Sequence, residues 1–303
     1  MRQATVEARR GGRPRLLPGE GFGLRPGIWA WARAVATERP TRPVGLALRG
    51  GPELASRTFT HDGRALHVRA GGPPNPSRMA VVLVHGVIVS SRYLMPLGVE
   101  LARDRPVLIP DLPGYGLSEA PGRPPTLESL AAAVIECARA SGHTRVALVG
   151  QSFGAQVVVE AAVREAPLVE RLALVGPTID PAARNLPAQY VRWQRNTPDE
   201  HLSVVPIMAR DLADVGPVRA AQLLRVMLAD AIEDRLPAVA CPALVVRGGR
   251  DRVVPATWAE RVARAMPRGE LAVVPGYAHM AHYSGPLAVA PVLRRFLDAR
   301  DAA

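Results

Sequence analysis

The chain has 303 residues, 48% hydrophobic and 4% aromatic, which is enough for one large domain with a full core and an insertion. No apolar stretch approaches the ~20 residues that a membrane-spanning helix needs. The net charge of +11 is concentrated in residues 1–49, which hold ten Arg and three Glu, so we expect no nucleic-acid partner for the less basic remainder.

Residues 1–52 are rich in Arg, Gly and Pro and show no sustained hydrophobic periodicity. Only Gly27–Ala36 has a helical pattern, with Trp29 and Trp31 as its packing residues. We predict a basic, partly disordered extension. Because it lacks a core pattern, we expect its deletion to be tolerated.

Two cysteines, Cys137 and Cys241, lie far apart and match no metal-binding spacing. No apolar segment follows Arg9-Arg10, so we predict no signal peptide. Reduced thiols and the lack of a signal indicate a cytoplasmic protein.

Strand and helix patterns alternate from residue 55 onward. Ser56–Thr60 and Ala65–Ala70 predict an antiparallel hairpin that turns at Asp62-Gly63. Further strands are predicted at 79–84, 106–110, 145–149, 171–175, 242–247 and 271–274, and helices at 92–103, 126–140, 155–165, 256–265 and 286–299. This alternation favours right-handed βαβ units and a mostly parallel sheet flanked by helices.

Between two consecutive predicted strands, from about 180 to 236, the pattern is helical only and is broken by five prolines. We therefore predict a helical cap inserted into the α/β core. Its boundaries are 177–240, and we call this segment the insert; the predicted core covers 53–176 and 241–303.

Gly150-Gln151-Ser152-Phe153-Gly154 lies between a predicted buried strand and a helix. In that context a G-x-S-x-G sequence places its serine on a strained turn, where a Cβ at either glycine would collide with the backbone. Ser152 is the candidate nucleophile.

A serine hydroxyl needs a base within hydrogen-bonding reach, and the base needs an orienting acid. Two histidines, His279 and His282, follow the last predicted strand. The acids that follow strands are Asp111, Asp180 and Asp251. Because parallel strands end at one edge of the sheet, these groups can meet Ser152 there.

Four motifs carry a resemblance to the α/β-hydrolase superfamily over residues 55–300. They are His85-Gly86, Asp111-Leu112-Pro113-Gly114-Tyr115-Gly116, Gly150-Gln151-Ser152-Phe153-Gly154 and Gly249-Arg250-Asp251-Arg252-Val253-Val254-Pro255. The resemblance implies an α/β-hydrolase fold of the serine-nucleophile branch and the chain order Ser152, Asp251, His279.

The resemblance also implies which histidine acts. In the family the catalytic histidine is often followed by Glu five residues on and Pro seven on; from His279 these positions are Ser284 and Pro286. The proline fits His279, the serine departs from the pattern, and His282 becomes a pocket or packing residue.

The mechanism implied is acyl transfer through an acyl-enzyme, with the backbone N–H groups of Val87 and Phe153 as the oxyanion hole. No metal or cofactor is implied. The predicted substrate is a small or medium carboxylic ester with an apolar acyl group. Serine at the elbow argues against the haloalkane dehalogenase and epoxide hydrolase branches, which resemble this one.

Three alternatives remain open: a carbon–carbon bond hydrolase, another enzyme of this fold such as a lyase or a cofactor-free haloperoxidase, and a non-catalytic ligand-binding protein. For the pocket we predict four substrate-contacting side chains. They are His282, Tyr190, Trp193 and Met208.

Overall fold

The computed structural model describes residues 28–38, 52–74 and 78–299. Most of the extension predicted for residues 1–52 therefore lies outside the described residues. The described strands are β1 (Ala55–His61), β2 (Arg64–Gly71), β3 (Ala80–Val84), β4 (Val107–Pro110), β5 (Val146–Gln151), β6 (Val169–Val175), β7 (Ala243–Gly248) and β8 (Gly269–Val274). The described helices are α1 (Ile28–Ala36), α2 (Ser91–Leu101), α3 (Leu127–Ala140), α4 (Phe153–Arg164), α5 (Leu186–Asn196), α6 (Val205–Val215), α7 (Pro217–Ala229), α8 (Ala256–Ala265), α9 (Ala281–Ser284) and α10 (Pro286–Leu297).

The eight strands form one sheet in the order β1-β2-β4-β3-β5-β6-β7-β8. β4, β3, β5, β6, β7 and β8 pair in parallel, whereas β2 pairs antiparallel with both β1 and β4. The β1–β2 hairpin turns at Asp62 and Gly63, which both have positive φ, as the D-G pattern predicts. The predicted α/β-hydrolase architecture is thus confirmed.

Helices cover both faces of the sheet, which explains the continuous apolar runs of its central strands. Along β3, Ala80, Val82 and Val84 belong to the apolar cluster that includes α3, α4 and α8. Val81 and Leu83 belong to the opposite cluster, which includes α2 and α10. Alternation along a strand therefore builds two cores, one on each face.

The chain between β6 and β7 contains α5, α6 and α7 with short 3₁₀ turns. Proline stands in the first turn of each of these helices, where its missing N–H costs no intrahelical hydrogen bond. The prolines that interrupt the sequence pattern therefore begin helices. Within the described residues, no helix is long and apolar enough to cross a membrane.

Helix α1 packs against the insert, at α6 and the turn Leu202–Val204. Trp31 packs against the apolar cluster there, as predicted, whereas Trp29 is 44% exposed and Ala32 and Val35 are fully buried. The packing of residues 28–38 therefore argues against their being dispensable. The helix is too short for its periodicity to reveal its buried face.

Candidate active site

Ser152 occupies the turn between β5 and α4 with φ 55° and ψ −119°, a backbone conformation that is strained for a residue with a side chain. A Cβ on Gly150 would overlap the carbonyl oxygen of Gly154, and a Cβ on Gly154 would overlap that of Val84. The glycines thus allow strand and helix to touch, as the motif predicts.

His279 and Asp251 form a buried pair at the ends of β8 and β7. The Nδ1–H of His279 donates to Asp251 Oδ2 at 2.9 Å. The other carboxylate oxygen accepts the N–H groups of Val253 and Val254 at 2.8 and 2.9 Å. The carboxylate is thereby fixed, and the imidazole keeps Nε2 available as a proton acceptor.

Gly176, directly after β6, brings Ser152 next to this pair. The N–H of Ser152 donates to the carbonyl of Val175 at 3.0 Å. A Cβ on Gly176 would lie 3.0 Å from His279 Nδ1 and 3.2 Å from Asp251 Oδ2. All three predicted triad residues therefore gather around Val175–Gly176, where a side chain would intrude.

The two alternative acids have other partners. Asp111 bonds the Nδ1 of His67 at 2.8 Å. Burial alone would raise the pKa of Asp111, but His67, with Arg69 and Arg92, holds it well below the usual value. Asp180 pairs with Arg192 at 2.6 Å.

The loop after β3 carries the predicted oxyanion donor Val87. His85 donates from Nδ1 to the carbonyl of Gly86 at 2.9 Å and accepts the N–H of Leu112 at 3.0 Å. Since carbonyl and N–H point to opposite sides of a trans peptide, the N–H of Val87 points away from His85. A Cβ on Gly86 would lie 3.2 Å from Ser152 Cβ, so the loop passes beside the nucleophile.

The second predicted donor, Phe153, is the first residue of α4. Its N–H belongs to the first turn of the helix, where backbone donors lack intrahelical acceptors and the helix dipole favours negative charge. Phe153 therefore directly follows Ser152, and the loop that carries Val87 passes beside it.

Tyr93 and Gln151 link the three loops of the site. The sequence analysis did not identify either residue as part of it. The N–H of Gly86 donates to the Tyr93 hydroxyl at 2.7 Å, and that hydroxyl donates to Gln151 Oε1. Gln151 Nε2 donates to the carbonyl of His279 at 3.3 Å. Gln151 is a variable position of the G-x-S-x-G motif, and nothing in the sequence around Tyr93 marks its partner.

Glu200, from the insert, supports the histidine loop and was also missed. Its Oε1 accepts the N–H of Met280 at 2.9 Å and an N–H of Asn196 at 2.7 Å. Ser284, which departs from the family pattern, donates to the carbonyl of Met280 at 3.0 Å. The loop is therefore held by a carboxylate that lies 80 residues earlier in the chain.

The four predicted pocket residues have different surroundings. The ring of Trp193 stands edge-on to His279 with a centroid distance of 6.2 Å, and Met208 packs against the same apolar cluster as Trp193. Tyr190 is 64% exposed. His282 is fully buried against Tyr93, and neither ring nitrogen has a hydrogen-bond partner among the described residues.

Charges in the site favour a neutral His282 and a basic His279. Burial lowers the pKa of His282 well below 6.5, and nearby His279 lowers it further. Burial also lowers the pKa of His279, but Asp251, together with Glu200, more than offsets burial and raises it above 6.5. A basic imidazole beside a serine suits proton abstraction.

Comparisons with known proteins bear on the family of the chain. The chain matches the alpha/beta hydrolase family over residues 81–292, more than half of its length. It is 27% identical over 247 residues to the pimeloyl-[acyl-carrier protein] methyl ester esterase of Xanthomonas campestris pv. campestris. The aligned region covers 73% of this chain and 95% of that relative.

Two further proteins show how varied the named substrates are. A 2-hydroxy-6-oxo-2,4-heptadienoate hydrolase of Pseudomonas putida is 36% identical over 138 residues, 43% of each chain. The crystal structure of an E-2-(acetamidomethylene)succinate hydrolase superposes with a TM-score of 0.68 at 23% identity, covering 81% of this chain and all of that one.

Proposed function

The chain belongs to the alpha/beta hydrolase family, and from this premise we propose that it hydrolyses small or medium carboxylic esters with Ser152, His279 and Asp251 as its triad. The enzyme class follows from the family; the serine mechanism and the ester substrate are the proposal. One observation carries it: the His279–Asp251 pair lies beside the strained turn of Ser152, around Gly176.

In the proposed mechanism His279 Nε2 takes the proton of Ser152 Oγ while the oxygen attacks the ester carbonyl carbon. The resulting oxyanion accepts the N–H groups of Val87 and Phe153, each worth about 3 kcal/mol of barrier in comparable enzymes. The intermediate collapses to an acyl-serine, and the leaving alkoxide takes the proton from His279. A water molecule, deprotonated by His279, then attacks the acyl-serine. The acid leaves as Ser152 Oγ takes that proton back from His279.

We propose that the insert contributes Trp193 and Met208 to the wall of the pocket, and that His282, from α9 of the core, is a further substrate contact. Trp193 supports this because its ring stands edge-on to that of His279. His282 supports it because a buried ring with two unpartnered nitrogens gains from a polar ligand or water. Tyr190, 64% exposed, remains the least supported of the four.

A fluorophosphonate probe and a series of p-nitrophenyl esters of rising chain length test the proposal. We expect the wild type to be labelled and to hydrolyse the esters, and Ser152→Ala to lose labelling and about 10⁶-fold of kcat while staying folded. The chain-length profile then measures the pocket. Turnover retained in Ser152→Ala would contradict the proposed role of Ser152.

Carbon–carbon bond hydrolysis is the second candidate. It is favoured by the relative whose name gives a 2-hydroxy-6-oxo-dienoate, and no ester, as its substrate. Labelling by the fluorophosphonate without ester turnover, combined with consumption of such a dienoate, would favour it over the first.

A further inference from the structure

Helix α6 of the insert places a carboxylate on the loop that carries Val87. Asp211 is fully buried and accepts both the N–H and the hydroxyl of Ser90, each at 2.8 Å. Ser90 is the N-cap of α2 and the last residue of the loop that starts at His85. A residue more than 100 positions away in the chain therefore fixes one end of this loop.

The other end of the loop is held by the core, where the N–H of Gly86 donates to Tyr93. Between these two anchors lie Val87, Ile88 and Val89, and Ile88 has φ 56°. A β-branched residue at positive φ is strained and persists only where the surroundings fix the backbone. Asp211 supplies one of the two restraints that keep this conformation.

Arg92 holds Asp211 in place from the first turn of α2. Its Nη1 pairs with Asp211 and, at 2.8 Å, with Asp214. Its Nε donates to Glu38 at 2.6 Å, just after α1. Burial lowers the pKa of Arg92, but the surrounding carboxylates, Asp211 first, raise it above its ordinary value, so the guanidinium stays charged.

The insert reaches the other two loops of the site through α5 and the turn after it. Glu200 accepts the N–H of Met280, next to His279. Asn196 donates to Glu200 at 2.7 Å and accepts the N–H of Arg252, next to Asp251, at 3.1 Å. Asn196 is fully buried, and its contacts with Glu200 and Arg252 are partly buried.

We propose that the insert is a working part of the active site, in which Asp211 positions the oxyanion loop and Glu200 positions the histidine loop. The proposal rests on the function proposed above. Neither residue needs to touch substrate, so both are positioning residues. A lid that only covered the pocket would not need carboxylates bonded to the backbone of these two loops.

Asp211→Asn tests the first half with a nearly isosteric side chain. With a short-chain p-nitrophenyl ester we expect kcat to fall about tenfold or more and KM to change less than about twofold, because displacing an oxyanion donor affects the transition state more than binding. Hydrogen exchange of the amides of residues 86–90, measured by mass spectrometry, should become faster.

Asp214→Asn is the matched control. Asp214 lies on the same helix and pairs with the same Arg92, and it makes its other ion pair with Arg210 at 2.8 Å. Since its carboxylate does not reach Ser90, we expect kcat within about twofold of wild type. A fall equal to that of Asp211→Asn would overturn the assignment to the loop.

Glu200→Gln tests the second half by its pH profile. Gln keeps an acceptor for Met280 but removes a charge that raises the pKa of His279. The other titratable groups that face His279 are Asp251 and His282. We expect the acidic limb of kcat/KM to move to lower pH, and an unmoved limb would contradict the proposal.

A purely structural role gives a different result. Asp211→Asn would then unfold at lower temperature while kcat and the exchange of residues 86–90 stay at wild-type values, and the proposal would be wrong. If the wild type hydrolyses no ester, the proposed function fails, but the exchange measurement still decides whether Asp211 holds the loop.

Discussion

At the scale of single residues, the site depends on groups whose protonation and tautomer are fixed by neighbours. Asp251 is immobilised by two backbone N–H groups before it meets His279. His85 is buried and its pKa is lowered, so it stays neutral while it orients the Gly86–Val87 peptide. His279 and His85 therefore differ in role because their surroundings differ. His279 faces the carboxylate of Asp251, whereas His85 bonds two backbone groups.

The pH dependence of hydrolysis follows from the pKa of His279. The base must be neutral, and its pKa is raised above 6.5, so kcat/KM should fall as the pH drops through a value above 6.5. In Asp251→Asn the raising charge is gone; we expect this limb to shift to lower pH and kcat to drop by about 10⁴-fold, as in other serine triads. A pH–rate profile of both proteins is the measurement.

At the scale of elements, the parallel sheet gathers the site because β3, β5, β6, β7 and β8 all end at one edge. Gly176 lies at the centre of this edge with φ 56°. Glycine is needed here for two reasons. The backbone has a positive φ, and a side chain would press against the His279–Asp251 pair.

Gly176→Ala separates these two requirements when compared with Gly142→Ala. Gly142 has φ 83°, and a Cβ there would meet nothing within 4 Å. Both variants should lose about 1 kcal/mol of stability from backbone strain. Only Gly176→Ala should also lose most of its ester turnover, since its Cβ displaces the pair; equal turnover in the two variants would argue against that geometry.

At the scale of the whole molecule, helix α1 and the insert are integrated with the core. Ala32 and Val35 of α1 join the apolar cluster that also contains Val204 and Ile207 of the insert. Glu38 then enters the buried ion pairs with Arg69 and Arg92. The described part of the N-terminal region therefore supports the insert, which in turn contacts the catalytic loops.

Deletion of residues 1–38 should lower both the thermal midpoint and the ester turnover. As a point variant, Val35→Ala should cost about 2 kcal/mol, because it removes two buried methyl groups. Trp29→Ala is the control: the side chain is 44% exposed, and we expect a change within about 0.5 kcal/mol. Chemical denaturation of these variants would show a dispensable helix if Val35→Ala matched wild type.

The sequence by itself determined the mostly parallel sheet, the hairpin, the position of the insert and the residues of the candidate triad. These rest on local signals: apolar runs, turn residues, and polar residues directly after strands. Strand ends meet at one edge in any such sheet, so Ser152 and several strand-end acids and histidines were expected near one another, and the resemblance to the α/β-hydrolase superfamily singled out Asp251 and His279.

Only the tertiary structure decided which polar side chains hold the catalytic loops. Tyr93, Gln151, Glu200 and Asp211 act through contacts over 58 to 128 positions in the chain. No periodicity or spacing in the sequence marks such partners. A buried charge is tolerated only when another group pairs with it, and here that group lies far away in the chain. For the same reason the buried face of α1 emerged only from its packing against the insert.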